Sequence, residues 1–235
     1  MKTTRRIPAL LLAMVMVFSL TLTSCGTKEE PVAADQVAMS LFNMILKDDA
    51  SSAVELFGYA DETEARADMG LDGSLYEGLA DEVVSQFRQM QLNVTTEDAQ
   101  AFVDAFMSMF KSVNMTAVVK ESDEKAGTAV VTCTIDTFDA NALTDAMAEA
   151  MTEAMSDPSI LEDEDALTSA IINAMSSAIA GLTPSGETAD FDVDFELQTL
   201  TINGKDRKAW LPKDAEQFGN LISTSAMGGC VHPDF

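Results

Sequence analysis

Apolar residues recur along this chain in two rhythms, one close to helical and one alternating. From Ala33 to Lys47, the positions Val37, Leu41, Met44 and Ile45 return every three or four residues, which places them on one face of a helix. Lys47-Asp48-Asp49 ends that pattern, and Ser51 to Phe57 reads as a short second helix. The stretch from Gly58 to Gly73 mixes acids with three glycines and reads as a loop. Ser74 to Gln91 carries Leu75, Leu79, Val83 and Phe87 on one stripe. Thr95-Thr96-Glu97-Asp98 then offers an N-cap with an acid three positions on, opening a helix that presents Phe102, Val103, Phe106 and Phe110.

The period shortens after that helix. Met115 to Glu121 and Thr128 to Thr137 are rich in Val, Thr and Ile and flank the polar Ser122-Asp123-Glu124-Lys125, the pattern of a β-hairpin. Two helices interrupt the strands. They are Asn141 to Ser156, stopped by Asp157-Pro158, and Asp163 to Ala180, stopped by Gly181 and Pro184. From Asp190 to Leu197, Phe191, Val193, Phe195 and Leu197 alternate with acids, so one face is core and the other wet. The apolar phase moves from odd to even at Leu200 and Ile202, which predicts a bulge near Gln198-Thr199. Asn203-Gly204 predicts a tight turn into a last strand, Lys205 to Leu211, that carries Trp210. A short helix from Pro212 to about Ile222 precedes a tail, Ser223 to Phe235.

Leading helices, a hairpin, an inserted helical pair and a second hairpin define an α+β fold class over residues 33–222, taken as one domain. Leu46-Lys47-Asp48-Asp49-Ala50 before a short helix, Ala129-Val130-Val131-Thr132 in a strand, and Asn203-Gly204 through Trp210 carry a further likeness. With them the chain resembles the extracytoplasmic lipoproteins of Gram-positive bacteria that have a nuclear-transport-factor-2-like domain. That resemblance implies N-terminal helices packed on a curved antiparallel sheet. It also implies a concavity able to hold a small apolar ligand, in a fold whose members include enzymes, binders and scaffolds.

The N-terminus supplies an address. Met-Lys-Thr-Thr-Arg-Arg precedes an apolar run from Ile7 to Leu22, a secretory signal pattern. Leu22-Thr23-Ser24-Cys25 follows it and resembles the lipobox of bacterial lipoproteins, matching every required position. The resemblance implies cleavage between Ser24 and Cys25 and lipidation of Cys25. Residues 1–24 are then a signal peptide and residues 25–32 a tether, with the protein held on the outer face of the cell membrane. A plain secretory signal with a chance cysteine, or an uncleaved anchor, is the alternative.

Charge sharpens this picture. The precursor has 14 basic and 39 acidic side chains, a net charge of −25, and losing Lys2, Arg5 and Arg6 with the signal makes it −28. Such a chain is repelled by polyphosphate and by anionic headgroups, so no nucleic acid is expected as a partner. The membrane is reached through the N-terminal lipid.

Candidate chemistry is sparse. Asp190, Asp192 and Asp194 suggest calcium, but an EF-hand needs Gly at the sixth position and Glu at the twelfth, where Phe195 and Thr201 stand. A solvated strand face is the simpler reading. Met147, Met151 and Met155 recur every four residues; thioethers suit Cu(I), yet no Cys or His accompanies them. They read instead as a soft apolar groove, lined with Phe191, Val193 and Phe195 of the alternating strand. Cys133 and Cys230 either pair in a disulfide or remain thiols. His232 is the only histidine, and with Cys230 alone it lacks the further ligands a metal needs. Asp136, at a strand end on the polar face with Thr132 and Thr134, reads as an exposed acid; the resemblance, some of whose enzymes use an aspartate, makes it the candidate base should the chain be a pocket enzyme. No catalytic residue, metal or cofactor is assigned. The expected function is a non-catalytic binding module for a small apolar ligand or an envelope protein.

Overall fold

The computed structural model describes residues 30–69, 78–89, 92–156 and 163–228. The architecture is α+β, with eight helices and a four-stranded antiparallel sheet among the described residues. The chain gathers into two units, each assembled from three stretches of sequence.

Among the described residues, the first unit holds 30–69, 115–135 and 190–224. Helix α1 (Ala34–Leu46) buries Val37, Leu41, Met44 and Ile45 as its spacing predicts, and it lies against strands β1 (Met115–Asp123) and β4 (Lys205–Pro212). Strand order is β1-β2-β3-β4, with β2 at Thr128–Asp136 and β3 at Thr188–Ile202. Val131, Cys133 and Ile135 are fully buried on the face opposite Thr132 and Thr134. Phe195 packs edge-on against Phe218 of α8 (Ala215–Ala226), at a ring separation of 6.4 Å. Helix α8 runs four residues beyond the predicted boundary at Ile222.

Two expectations for this unit are corrected. The predicted loop from Gly58 to Gly73 contains a helix, α3 (Glu62–Asp68), after α2 (Ser51–Phe57) closes on Gly58 at φ +76°. Asp61 caps α3 by accepting from the Glu64 N–H, and Arg66 donates to Asp48 Oδ1 at 2.7 Å and to the Asp48 carbonyl at 2.6 Å. Seven residues are too few to show a period, although Asp61 with Glu64 three positions on is a helix-start signature.

The second correction concerns the bulge. The β3–β4 register is unbroken from Phe195↔Pro212 to Ile202↔Lys205, so none lies at Gln198-Thr199. Leu200 and Ile202 are buried all the same. Arg207, paired with Leu200, donates to the Leu56 carbonyl at the end of α2 at 3.1 Å. The shift in register falls in β1 instead, between Val119 and Glu121, with Lys120 the extra residue. Asn203 (φ +52°) and Gly204 (φ +72°) form the predicted turn, both in the left-handed region that a type I′ hairpin requires.

Among the described residues, the second unit holds 78–89, 92–114, 136–156, 163–189 and 225–228. Helix α7 (Glu164–Ala180) packs on both α5 (Thr96–Lys111) and α6 (Ala140–Ala154), and α4 (Leu79–Gln89) packs on α5. Val84, Val94, Ala99, Val103 and Ile172 form its buried centre. The cap at α5 is as predicted: Thr95 Oγ1 accepts from the Asp98 N–H at 3.1 Å and donates to Asp98 Oδ2 at 2.7 Å. Asp98 is buried, and its carboxylate also accepts from Ser169 Oγ at 2.9 Å and Asn173 Nδ2 at 3.2 Å, tying α5 to α7.

Candidate functional site

The alternating strand β3 presents its acids to water, and the structure gives two of them neutral or cationic partners. Asp192 Oδ2 accepts from Lys120 Nζ at 2.6 Å and Oδ1 from Thr132 Oγ1 at 2.6 Å, while Asp190 Oδ1 accepts from Thr134 Oγ1 at 2.7 Å. The Lys120 and Thr132 hydrogen bonds hold the Asp192 carboxyl below the usual carboxylate range, and Asp192 in turn raises the Lys120 ammonium. Among the described residues, no group of three or more His, Cys, Asp or Glu side chains is arranged to hold a metal ion. The row is a hydrogen-bonded surface ladder across β1, β2 and β3.

Beside this ladder, at the turn end of the β1–β2 hairpin, lies a hollow of about 440 Å³. Glu121, Asp123, Asp194 and Glu196 line it, with Lys213 the one cation among its lining residues. Ala126 and Gly127 are the small residues of its lining. The backbone fixes this shape: Leu197 N–H bonds to the Gly127 carbonyl at 3.0 Å, and Lys213 N–H to the Asp194 carbonyl at 2.9 Å. Four carboxylates against one ammonium suit a cationic group.

Strand β1 borders that hollow and is exposed from Val118 to its end. Val118 is 64% exposed and Val119 36%, and the residues from Lys120 to Asp123 are exposed as well. Sequence reasoning passed over both features. The signal for β1 was the adjacent pair Val118-Val119, since neighbouring strand residues face opposite sides and one valine must face away from the core.

The sequence-predicted groove residues divide between the two units. In the sheet unit, Phe195 is 1% exposed and Val193 is buried, so both are packed core, and Phe191 is half-buried. In the helical unit, Met151 and Met155 are exposed and Met147 half-buried. A hollow of about 540 Å³ does lie between α6 and α7. Ala146, Ala150, Glu149 and Glu153 line it from α6, facing Asn173, Ala174, Ser177 and Ala178. The alanines beside the methionines, rather than the methionines, face the neighbouring helix.

Asp136, the candidate base, accepts from the backbone N–H of Asn114 at 3.0 Å and from its side-chain amide at 2.9 Å. Its carboxylate anchors the entry to β1. Among the described residues Cys133 is a buried thiol with no disulfide partner, and burial, with Asp192 adding to it, pushes that thiol up to about 12. Cys230, the expected alternative partner of Cys133, lies outside the described residues, as do His232, Ser24 and Cys25. No helix among the described residues is long and apolar enough to cross a membrane.

No protein-family model matches the sequence, and no curated protein sequence matches it. A crystal structure of YcdA, a candidate lipoprotein of Bacillus subtilis, is similar with a TM-score of 0.52 at 16% identity. The alignment covers 82% of this chain and 56% of that of YcdA, so the chain spans little more than half of its neighbour's length. At such identity the likeness is one of fold.

Proposed function

We propose that the chain is a lipoprotein held on the outer face of the cell membrane through Cys25, where it acts by binding an envelope protein rather than by catalysis. The observation that carries the anchor is Leu22-Thr23-Ser24-Cys25 directly after a basic and then apolar leader. Fold likeness to YcdA, itself a candidate lipoprotein, supports it. The nuclear-transport-factor-2-like assignment rests on element order: helices first, then two hairpins separated by a helical pair. A protein partner is favoured over a small apolar ligand because the features facing water are an open strand and polar-rimmed hollows. Phe195 and Val193, the residues expected to line an apolar site, are buried.

Two acyl chains contribute about 0.8 kcal/mol per buried methylene, enough for firm anchoring without help from a polypeptide that anionic lipid repels. Fractionation tests the reading. The wild-type protein is expected in the membrane pellet, and the Cys25→Ala protein is expected to retain its leader and take up no labelled palmitate. Palmitate incorporation that survives Cys25→Ala would contradict the reading.

A further inference from the structure

The two edges of the sheet are treated differently. Along β4, Val32 forms a parallel bridge with Ala209: its N–H donates to the Lys208 carbonyl at 2.9 Å and its carbonyl accepts from Trp210 N–H at 3.2 Å. Among the described residues, no strand pairs with the outer edge of β1. In an antiparallel ladder alternate residues turn both backbone groups away from their partner. Asp136 N–H bonds to the Asn114 carbonyl at 2.9 Å, which sets the phase, so Ala117 and Val119 turn theirs to the free edge. An open edge of this kind is a template for another strand.

What occupies it is indicated by charge. The edge runs from the exposed Val118 and Val119 into Glu121 and Asp123, which also line the acidic hollow with Asp194 and Glu196. Lys120 does not offset them, since its ammonium is engaged by Asp192 at 2.6 Å. The whole chain is strongly acidic, with a net charge of −25, so a second copy is repelled and a basic segment attracted. We propose that the open edge of β1 takes up an extended cationic segment of an envelope protein as an added strand, with basic side chains of that segment seated in the acidic hollow. This rests on the reading of the chain as a surface interaction protein and names its partner's chemistry. Main-chain bonds to Ala117 and Val119 supply pairing, and the carboxylates supply selectivity for charge.

The test uses the full chain in mild detergent and a short synthetic peptide of alternating Val and Lys. Hydrogen exchange at the Ala117 and Val119 amides is expected to slow about tenfold or more when the peptide is added. Affinity is expected to fall roughly tenfold in a Glu121→Lys, Asp194→Lys double variant and to weaken with salt. Ala117→Pro removes an outward donor while leaving the β1–β2 ladder intact, and is expected to abolish binding. Should that variant misfold, the charge-reversal pair, altered only at exposed side chains, carries the test. Failure of the Val-Lys peptide to bind, equal binding of a Val-Glu peptide, or equal binding of a peptide N-methylated at alternate residues would each overturn the proposal. So would edge amides that become protected with rising protein concentration and no peptide, which would identify a second copy as the occupant. Lipidation at Cys25 is measured separately, so loss of the peptide site with Cys25 lipidated refutes this inference alone.

Discussion

Cys133 shows how burial sets chemistry at a single residue. Its thiol, raised to about 12, is neutral throughout the physiological range and has no thiolate with which to react. A thiol-specific reagent at pH 8 is therefore expected to modify Cys133 only after denaturant is added; rapid labelling of the folded chain would contradict its burial. The linkage has a definite sign. Because the folded value is raised, the native state keeps a proton that the unfolded state releases above about 8.5, and stability falls as pH climbs from there toward 12. Asp192 behaves oppositely. Its lowered carboxyl contributes stability above about 3.9 that is lost as pH falls through the depressed folded value. A carbon-detected NMR titration is expected to show the Asp192 midpoint rising toward the usual range in a Lys120→Met variant; an unchanged midpoint would show that the Lys120 contact does not form in solution. At this scale the sequence was informative wherever alternation held. Val131, Cys133 and Ile135 are buried as their spacing required, but partners such as Asp192 with Lys120, 72 positions apart, leave no local trace.

Elements with a strong period were legible to within a few residues, and those whose cover comes from elsewhere were not. The cap Thr95-x-x-Asp98 was readable, but its second role was not: Ser169 and Asn173 come from a helix about seventy residues away. Asp98→Ala removes a buried acceptor and strands both donors, so a loss of about 2 kcal/mol is expected in urea unfolding. A loss no larger than that of an exposed change such as Asp104→Ala would contradict the clamp. The apolar phase at Leu200 and Ile202 predicts a bulge that the unbroken β3–β4 register excludes. Arg207, paired across the hairpin with Leu200, reaches the Leu56 carbonyl at the end of α2, a contact that no alternation within one strand can encode. In β1 the register shift at Lys120 bends the strand where acids begin, which the sequence marks only by the break from Val118-Val119 to charge.

Across the whole molecule, the chain crosses between its two units five times, so neither is a separable stretch of sequence. A single cooperative unfolding transition is expected in calorimetry; two resolved transitions would show that the helical unit melts independently. Fold class followed from element order, whereas the placement of the acidic hollow needed two hairpins to meet. The strong negative charge and the open edge of β1 acquire a common purpose only if the protein is displayed where envelope partners can reach it. In the proposed reading that display depends on Cys25. The most direct measurement is intact-mass and N-terminal peptide analysis of the protein extracted from membranes. The account predicts a chain that has lost residues 1–24 and begins at Cys25 with a diacylglyceryl-bearing thiol. A chain that retains its leader, or one cut elsewhere with an unmodified Cys25, would contradict it.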